Sequence, residues 1–202
     1  MKKLFFGFLL FSQIVFAQER TMSIQHQSSG PSYFKVSVQD DGLLRGNYQG
    51  WCADWNRRIE DNVVYNARFY SSVSTNLPGD VVDHPEYLDE VNWIFNQNFV
   101  GKNSPAGLGV YTLGDVQLAI WSLIDDEFDS STVGPFSQAR VDEIVARAKT
   151  EGANYNPGCR QLVGIILVPS TSDGSRTQNT IILVPRYHFP KCVVPEGDTK
   201  SI

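Results

Sequence analysis

Residues 112–121, TLGDVQLAIW, do most to decide the expected fold and chemistry. Thr112 and Asp115 have the spacing of a capping box, in which each side chain binds the other residue's backbone N–H, so a helix is predicted to begin here. The side chains that share a helix face with Gln117 are all apolar. They are Ile120, Trp121 and Ile124. A buried amide in such surroundings requires either a hydrogen-bond network or a covalent role.

The second informative segment is residues 50–54, GWCAD, because it carries one of only three cysteines. Cys159 and Cys192 each follow a proline-containing turn and flank a predicted pair of strands, so we predict a disulfide between them. Cys52 is then left unpaired. In an oxidising compartment it is either a buried thiol, packed as a small hydrophobic residue, or a chemically committed one.

The two segments together carry a resemblance to a known family. Residues 116–121, VQLAIW, resemble the Gln-x-x-apolar-Trp motif of bacterial surface thioester domains, and Trp51-Cys52 matches the aromatic-Cys segment of that family. The resemblance covers most of residues 40–185 and implies a thioester between Cys52 and Gln117. The chain departs from the family at Val116, where threonine is usual and would supply a hydroxyl.

The implied reaction joins the two side chains and then transfers the acyl group. The Cys52 thiolate would attack the side-chain carbonyl of Gln117, expel ammonia and leave an activated acyl group, which an amine would later take as an amide. Such a bond must be kept from water. Candidates for an apolar wall are Trp51, Trp55, Tyr111 and Trp121, while Asp54 is expected either to shape the cysteine loop by a hydrogen bond or to serve as a turn residue.

The N-terminus predicts export. Residues 1–17 combine Met1-Lys2-Lys3, an apolar run and a small residue at Ala17, which is typical of a signal peptide. The apolar run is too short for a membrane span, and we expect none after signal removal. Loss of two lysines with the signal changes the formal charge from −5 to −7. This balance, without a basic patch, argues against nucleic-acid binding.

The distribution of apolar residues predicts a single α+β domain, with a β-sandwich-like sheet built from both ends of the chain and a helical insertion between them. We expect a signal peptide at 1–17, a flexible lead at 18–30, the thioester-like domain at 31–194 and a tail at 195–202. The predicted strands are Tyr33–Val38, Val63–Tyr70, Leu162–Val168 and Thr180–Val184. Helices are predicted from near Asp83 to before Gly101, from Thr112, and from Ser137 to Gly152.

These expectations predict a secreted or cell-surface adhesion domain that reacts once with amines of a protein or glycan on a neighbouring cell or matrix surface. It would need no cofactor or metal, and it would not be an enzyme, since the reaction consumes its own site. One alternative is an extracellular cysteine acyl-transferase or hydrolase, for which the available histidines are His26, His84 and His188. Another is a noncovalent binding module that has lost the thioester, which the departure at Val116 favours. On packing alone, Trp51, Trp93 and Trp121 would be core aromatics, Cys52 a buried thiol and Gln117 a satisfied polar residue.

One further motif invites a metal hypothesis. The acidic run Asp125, Asp126, Glu127 and Asp129 follows the central helix and could suggest calcium, which prefers oxygen ligands. Its spacing does not match an EF-hand loop and lacks the glycine position. We therefore interpret the run as a solvated helix end.

Overall fold

A computed structural model describes residues 20–27, 30–39 and 42–188, which form one mixed α/β domain. The strands within these ranges are β1 (Arg20–Gln27), β2 (Gly30–Val38), β3 (Gly46–Cys52), β4 (Tyr65–Ser71), β5 (Leu162–Ser170) and β6 (Thr180–Pro185). The helices α1 (Leu88–Gln97), α2 (Leu113–Ile124) and α3 (Gln138–Glu151) all lie between β4 and β5 in the chain. The predicted mixture of strands with a helical insertion is confirmed.

The sheet differs from the predicted sandwich-like arrangement, because its six strands close into an antiparallel barrel. Their order is β1-β2-β3-β6-β5-β4, and β4 pairs with β1 to complete the ring. Met22 shows the closure at one position, since it lies opposite Val38 of β2 and Tyr65 of β4. A strand with partners on both sides leaves no free edge, so the sheet cannot remain an open layer.

The predicted flexible lead at residues 18–30 is also corrected, because β1 occupies most of it. Met22 and Ile24 are buried, and Gln25, the residue after Ile24, is exposed. Burial of every second residue is the pattern of a half-buried strand. In the sequence, the many polar residues of the segment conceal this pattern. Pairing with two neighbouring strands fixes a segment whose composition alone indicates disorder.

Strand β3 places Cys52 at its last residue, where the chain leaves the sheet. Gly50, two residues earlier, lies opposite Phe34 of β2, and a Cβ at Gly50 would come within 2.6 Å of Val36 Cγ2. The missing side chain therefore allows the Val36 and Phe34 side chains to pack directly on the β3 backbone. Cys52 itself lies opposite Thr180 of β6.

Helix α2 begins as the sequence predicts. The Thr112 hydroxyl accepts from the Asp115 N–H at 3.2 Å, and the Asp115 carboxylate accepts from the Thr112 N–H at 2.7 Å, which completes the capping box. The same carboxylate accepts from the backbone N–H of Ser137, the N-cap of α3, and forms an ion pair with Arg140. One buried carboxylate thus joins the starts of two helices.

Three expectations lie outside the described residues: the signal peptide at 1–17, the tail at 195–202 and Cys192. The Cys159–Cys192 disulfide therefore stays a prediction, and Cys159 itself is half-buried beyond the end of α3. Across the ranges that the structure covers, no helix combines the length and apolar character needed to cross a bilayer.

Candidate functional site

The fold brings Cys52 and Gln117 into direct contact. Cys52 is the last residue of β3 and Gln117 lies near the start of α2, and both are fully buried. The Cys52 N–H donates to Gln117 Oε1 at 3.1 Å, while Gln117 Nε2 donates to the Cys52 carbonyl at 2.9 Å. The two sequence segments singled out for the thioester chemistry therefore meet as a reciprocally bonded pair at the junction of barrel and helices.

This pair of hydrogen bonds has two chemical consequences. The side-chain amide binds Cys52 as a residue of an antiparallel neighbour strand would, so its two polar groups are satisfied. The bond from the Cys52 N–H to Gln117 Oε1 also polarises the side-chain carbonyl. It would stabilise negative charge that develops on this oxygen if a nucleophile attacked the carboxamide carbon.

The Cys52 thiol is buried and protonated at rest. Its Sγ donates to the backbone carbonyl of Asp54 at 2.9 Å. Burial raises the pKa of the thiol well above its usual value, and the negative charges of Asp54 and Asp125 raise it further. The indole N–H of Trp121 acts in the opposite direction and lowers this pKa. The thiol therefore needs a nearby proton acceptor before it can act as a nucleophile.

Two buried polar atoms without a hydrogen-bond partner belong to residues next to Cys52. They are Thr180 Oγ1 and Asp54 Oδ1. Thr180 lies opposite Cys52 across β3 and β6, and Asp54 is two residues from it. Because an unmade buried hydrogen bond costs about 1–3 kcal/mol, this concentration of unpaired atoms at one place is unusual for ordinary packing.

Asp54 and Asp125 are two carboxyl groups that lie beside the thiol. Asp54 Oδ2 accepts from Arg57 at 2.9 Å and from the Asn179 N–H at 3.3 Å. Asp125 accepts from the Trp55 N–H at 2.8 Å through Oδ2 and from the Glu127 N–H at 3.2 Å through Oδ1. Burial raises the pKa of both groups, and that of Asp125 reaches about 6.

The four residues of the predicted aromatic wall lie in different surroundings. Trp121 is fully buried at the thiol and stacks on the partly exposed ring of Phe128 at 5.8 Å. Trp51 packs against Tyr33 and Phe95, and it points to the opposite side of β3 from Cys52.

The remaining two aromatics have other surroundings. Trp55 is 37% exposed and reaches the site through its backbone N–H, which binds Asp125. Tyr111 belongs to a separate cluster, since its ring packs on Phe99 and its hydroxyl donates to Glu143 of α3. Of the four predicted aromatics, Trp121 is the one whose ring is recorded beside Cys52.

Sequence reasoning missed several residues of the site. Asp125 was assigned to a solvated helix end together with its acidic neighbours, but it is only 6% exposed and is turned toward the cysteine loop. Asn179, just before β6, and Thr180, its first residue, are both buried, and the Asn179 N–H donates to Asp54 of that loop. Their position at the start of an apolar strand does not indicate this contact. Phe128 lies within the acidic run, and its spacing of seven residues from Trp121 is a signal that could have found it.

The acidic run does not gather a metal site. Asp126 is exposed and pairs with His84, while Asp125 faces inward, so the carboxylates diverge. Across the described part of the chain, no group of three or more His, Cys, Asp or Glu side chains is arranged to hold a metal ion.

The three histidines have contacts elsewhere. His84 contacts Asp126 at 2.7 Å and Glu86 at 3.1 Å, and these two carboxylates raise its pKa. His26 contacts Asp61 at 2.6 Å, and His188 stacks on Tyr187. Their recorded partners are surface carboxylates and an aromatic ring, whereas the base of a cysteine enzyme would bind the thiol.

A groove of about 690 Å³ runs along the outer side of the cysteine loop. Its lining includes Trp55, Arg57, Arg58 and Gln178. Gln178 Nε2 donates at 3.0 Å to the Asp54 carbonyl, the same oxygen that accepts from the Cys52 thiol. The Asp54 carbonyl therefore connects the buried thiol to a side chain that lines the groove.

Comparison of the chain with protein-family models, with curated proteins and with solved structures found no match in any of the three. The case for a function therefore depends on the residues and geometry described above.

Proposed function

We propose that the protein forms an internal thioester between Cys52 and Gln117 and uses it to attach covalently, once, to a primary amine on a target surface. The observation that carries this proposal is the reciprocal pair of hydrogen bonds between the two fully buried residues. It holds the Gln117 carboxamide against the residue whose thiol would attack it. Positioning of this kind replaces a rare encounter by an intramolecular one.

Formation of the bond needs no external reagent. Cys52 Sγ attacks the carboxamide carbon of Gln117, the new C–S bond replaces the C–N bond, and nitrogen leaves as ammonia with the proton that the thiol gave up. Trp121 and its stacked neighbour Phe128 shield the product from water. An amine of the target then attacks the same carbon, forms an amide with Gln117 and returns Cys52 to a thiol.

The groove beside Trp55 is the surface from which a target would approach. Gln178 of its lining donates to the Asp54 carbonyl, and its tryptophan, arginines and glutamine provide polar and stacking contacts for a protein or glycan. With the signal sequence predicted at residues 1–17, we place the reaction outside the cell, where the target is an amine-bearing surface of a neighbouring cell or matrix. The acyl group is used once, so this is attachment and not turnover.

The second candidate function is that of a noncovalent binding module with the same fold. It is favoured by the completeness of the Gln117 hydrogen bonds, since an amide that already has its partners needs no covalent use to justify burial. In this account Gln117 pairs with the end of β3 in place of another strand. The unpaired polar atoms around the thiol favour the covalent account instead, because pure packing gives them no role.

Intact mass spectrometry of the secreted protein separates the two. Thioester formation should remove about 17 Da as ammonia, beyond about 2 Da per disulfide, and methylamine should then add about 31 Da at Gln117. Cys52→Ala and Gln117→Glu should abolish both changes. Gln97→Glu, which alters a helix glutamine whose side-chain amide donates to the Trp93 carbonyl of its own helix, is the matched control and should retain them. If the wild-type mass shows only the loss expected for the disulfide and does not change with methylamine, the thioester is contradicted and the noncovalent binding module is favoured.

A further inference from the structure

Thioester chemistry at a buried pair requires a proton to move twice. The thiol must lose its proton before it attacks, and departing ammonia must gain one. In amine capture, the attacking nitrogen must lose a proton and the released thiolate must gain one. Cys52 is sealed from solvent, so the group that carries this proton has to belong to the protein.

Two carboxyl groups act on the thiol through their charge, Asp54 and Asp125. They differ in how their oxygens are used. Both oxygens of Asp125 accept backbone hydrogen bonds, from Trp55 and from Glu127, so its lone pairs are committed to holding the loop and the end of α2.

Asp54 keeps one oxygen unused. The residue is 9% exposed, and its Oδ2 is fixed by Arg57 and by the Asn179 N–H. Its Oδ1 is buried and has no hydrogen-bond partner. A buried carboxylate oxygen without a hydrogen-bond partner raises the free energy of the folded protein. This oxygen is therefore available to accept a proton. Burial also raises the pKa of this carboxyl, so that holding a proton is easier than for an exposed aspartate.

A small cavity is lined in part by Asp54. It has a volume of about 70 Å³, and its lining includes Asp54, Asp83, Ile124 and Asn179. This is room for one or two molecules of the size of water or ammonia. Asp54 therefore adjoins a space large enough for the smallest nitrogen compound in the reaction, and its backbone carbonyl accepts from the sealed thiol.

We infer that Asp54 is the proton carrier of the Cys52–Gln117 site, taking the proton through the unpartnered Oδ1. During bond formation it removes the proton from Cys52 Sγ and returns it to the departing nitrogen of Gln117, which leaves as ammonia. During capture it takes a proton from the attacking amine and delivers it to the Cys52 thiolate as the C–S bond breaks. Asp54 ends each step as it began, so protons and charge balance.

The inference rests on the proposed thioester, and the experiment measures the two separately. The wild-type mass, about 17 Da below the sequence mass beyond the disulfide, decides the thioester itself. For the wild type, Asp54→Asn and Asp125→Asn, two rate constants are then measured: that of ammonia loss, and the second-order rate constant of methylamine capture by the fraction that has lost ammonia. An Asp54→Asn variant that loses no ammonia, beside an Asp125→Asn variant that does, supports the assignment. We expect Asp54→Asn to lower the rate constant of capture by at least about tenfold, as for loss of a general acid–base group, and Asp125→Asn to lower it by less than about threefold.

A rescue experiment distinguishes proton transfer from a structural role. Asp54→Ala removes the carboxyl beside the small cavity, and added formate should restore the capture rate at least about fivefold, whereas chloride at the same ionic strength should not. Capture by Asp54→Asn at the wild-type rate, equal slowing in Asp125→Asn, or an Asp54→Ala variant that formate leaves slow would each overturn the assignment while the thioester stands. A wild-type protein that never loses ammonia would remove the proposed function and this inference with it.

Discussion

At the scale of single residues, Asp125 shows how the site is held together at a cost. Its carboxylate connects the loop after β3, through the Trp55 N–H, to the end of α2, through the Glu127 N–H. These bonds favour the charged form, but burial outweighs them and raises the pKa of the group to about 6. Asp125 therefore holds the loop after β3 against the end of α2, but it lowers the stability of the folded protein near neutral pH.

The expected pH dependence follows from this shift. Between its ordinary pKa of 3.8 and about 6, the folded protein binds a proton at Asp125 that the unfolded chain releases, so the stability from this group falls as the pH rises through that window. Asp125→Asn does not titrate. From pH 4 to pH 7 the free energy of unfolding of the variant, relative to the wild type, should rise by about 1–3 kcal/mol.

Urea unfolding at the two pH values measures this difference. Glu127→Gln, a neutralisation at the exposed neighbouring residue, is the matched control and should change the relative stability by less than about 0.5 kcal/mol. A relative stability of Asp125→Asn that is the same at both pH values would show that the folded protein does not favour the protonated carboxyl.

The sequence identified Cys52 and Gln117 because each is anomalous within its own short segment: a cysteine left over from a predicted disulfide, and an amide on an apolar helix face. Asp125 and Thr180 carry no such local mark. Their place beside the thiol depends on contacts between distant segments, such as the register that sets Thr180 opposite Cys52. Residues of this kind are found only when the chain is folded.

At the scale of elements, the position of Gln117 depends on how α2 begins. The buried Asp115 carboxylate accepts from two backbone N–H groups, at the starts of α2 and α3, and pairs with Arg140 at 2.6 Å. Gly114 beside it fits closely, because a Cβ there would lie 2.6 Å from the Pro135 carbonyl oxygen. The first turn of α2 is thus fixed against the segment that leads into α3, and Gln117 follows it by less than one turn.

A double-mutant cycle tests the ion pair between Asp115 and Arg140. Asp115→Ala should destabilise the protein by about 3–5 kcal/mol, because it strands a largely buried guanidinium and unpairs two backbone N–H groups. Coupling between Asp115→Ala and Arg140→Ala should be about 1–3 kcal/mol. The pair Arg147–Glu151 on the outside of α3 is the control, with an expected coupling of about 0.3–0.5 kcal/mol. Equal coupling in the two cycles would contradict a special role for the buried pair.

Elements were predictable to the extent that their signals are local. The capping box gives the start of α2, and apolar runs give β5 and β6, because each signal lies inside the element it specifies. Strand β3, GNYQGWC, has two glycines and alternates weakly, so it depends on β2 and β6 for its structure. The closed barrel was not predicted, since closure requires β1 and β3 together.

At the scale of the whole molecule, the barrel and the helices each supply one member of the Cys52–Gln117 pair. The barrel supplies Cys52 from β3 and Thr180 from β6, and the helical insertion supplies Gln117 and Trp121 from α2. Neither part contains both reacting groups. The proposed thioester would therefore form only after the barrel and the inserted helices have docked, which would protect the unfolded chain from premature reaction.

Barrel closure by β1 leads to the last prediction. Met22 is fully buried between β2 and β4, so Met22→Ala should lower the free energy of unfolding by about 2–4 kcal/mol through lost burial and the cavity that remains. Gln25→Ala, at an exposed position of the same strand, should change it by less than about 0.5 kcal/mol. Urea unfolding measures both variants. If β1 were the flexible lead that its composition suggests, both substitutions would be neutral, whereas a large cost at Met22 alone requires the alternating burial of a strand that closes the barrel.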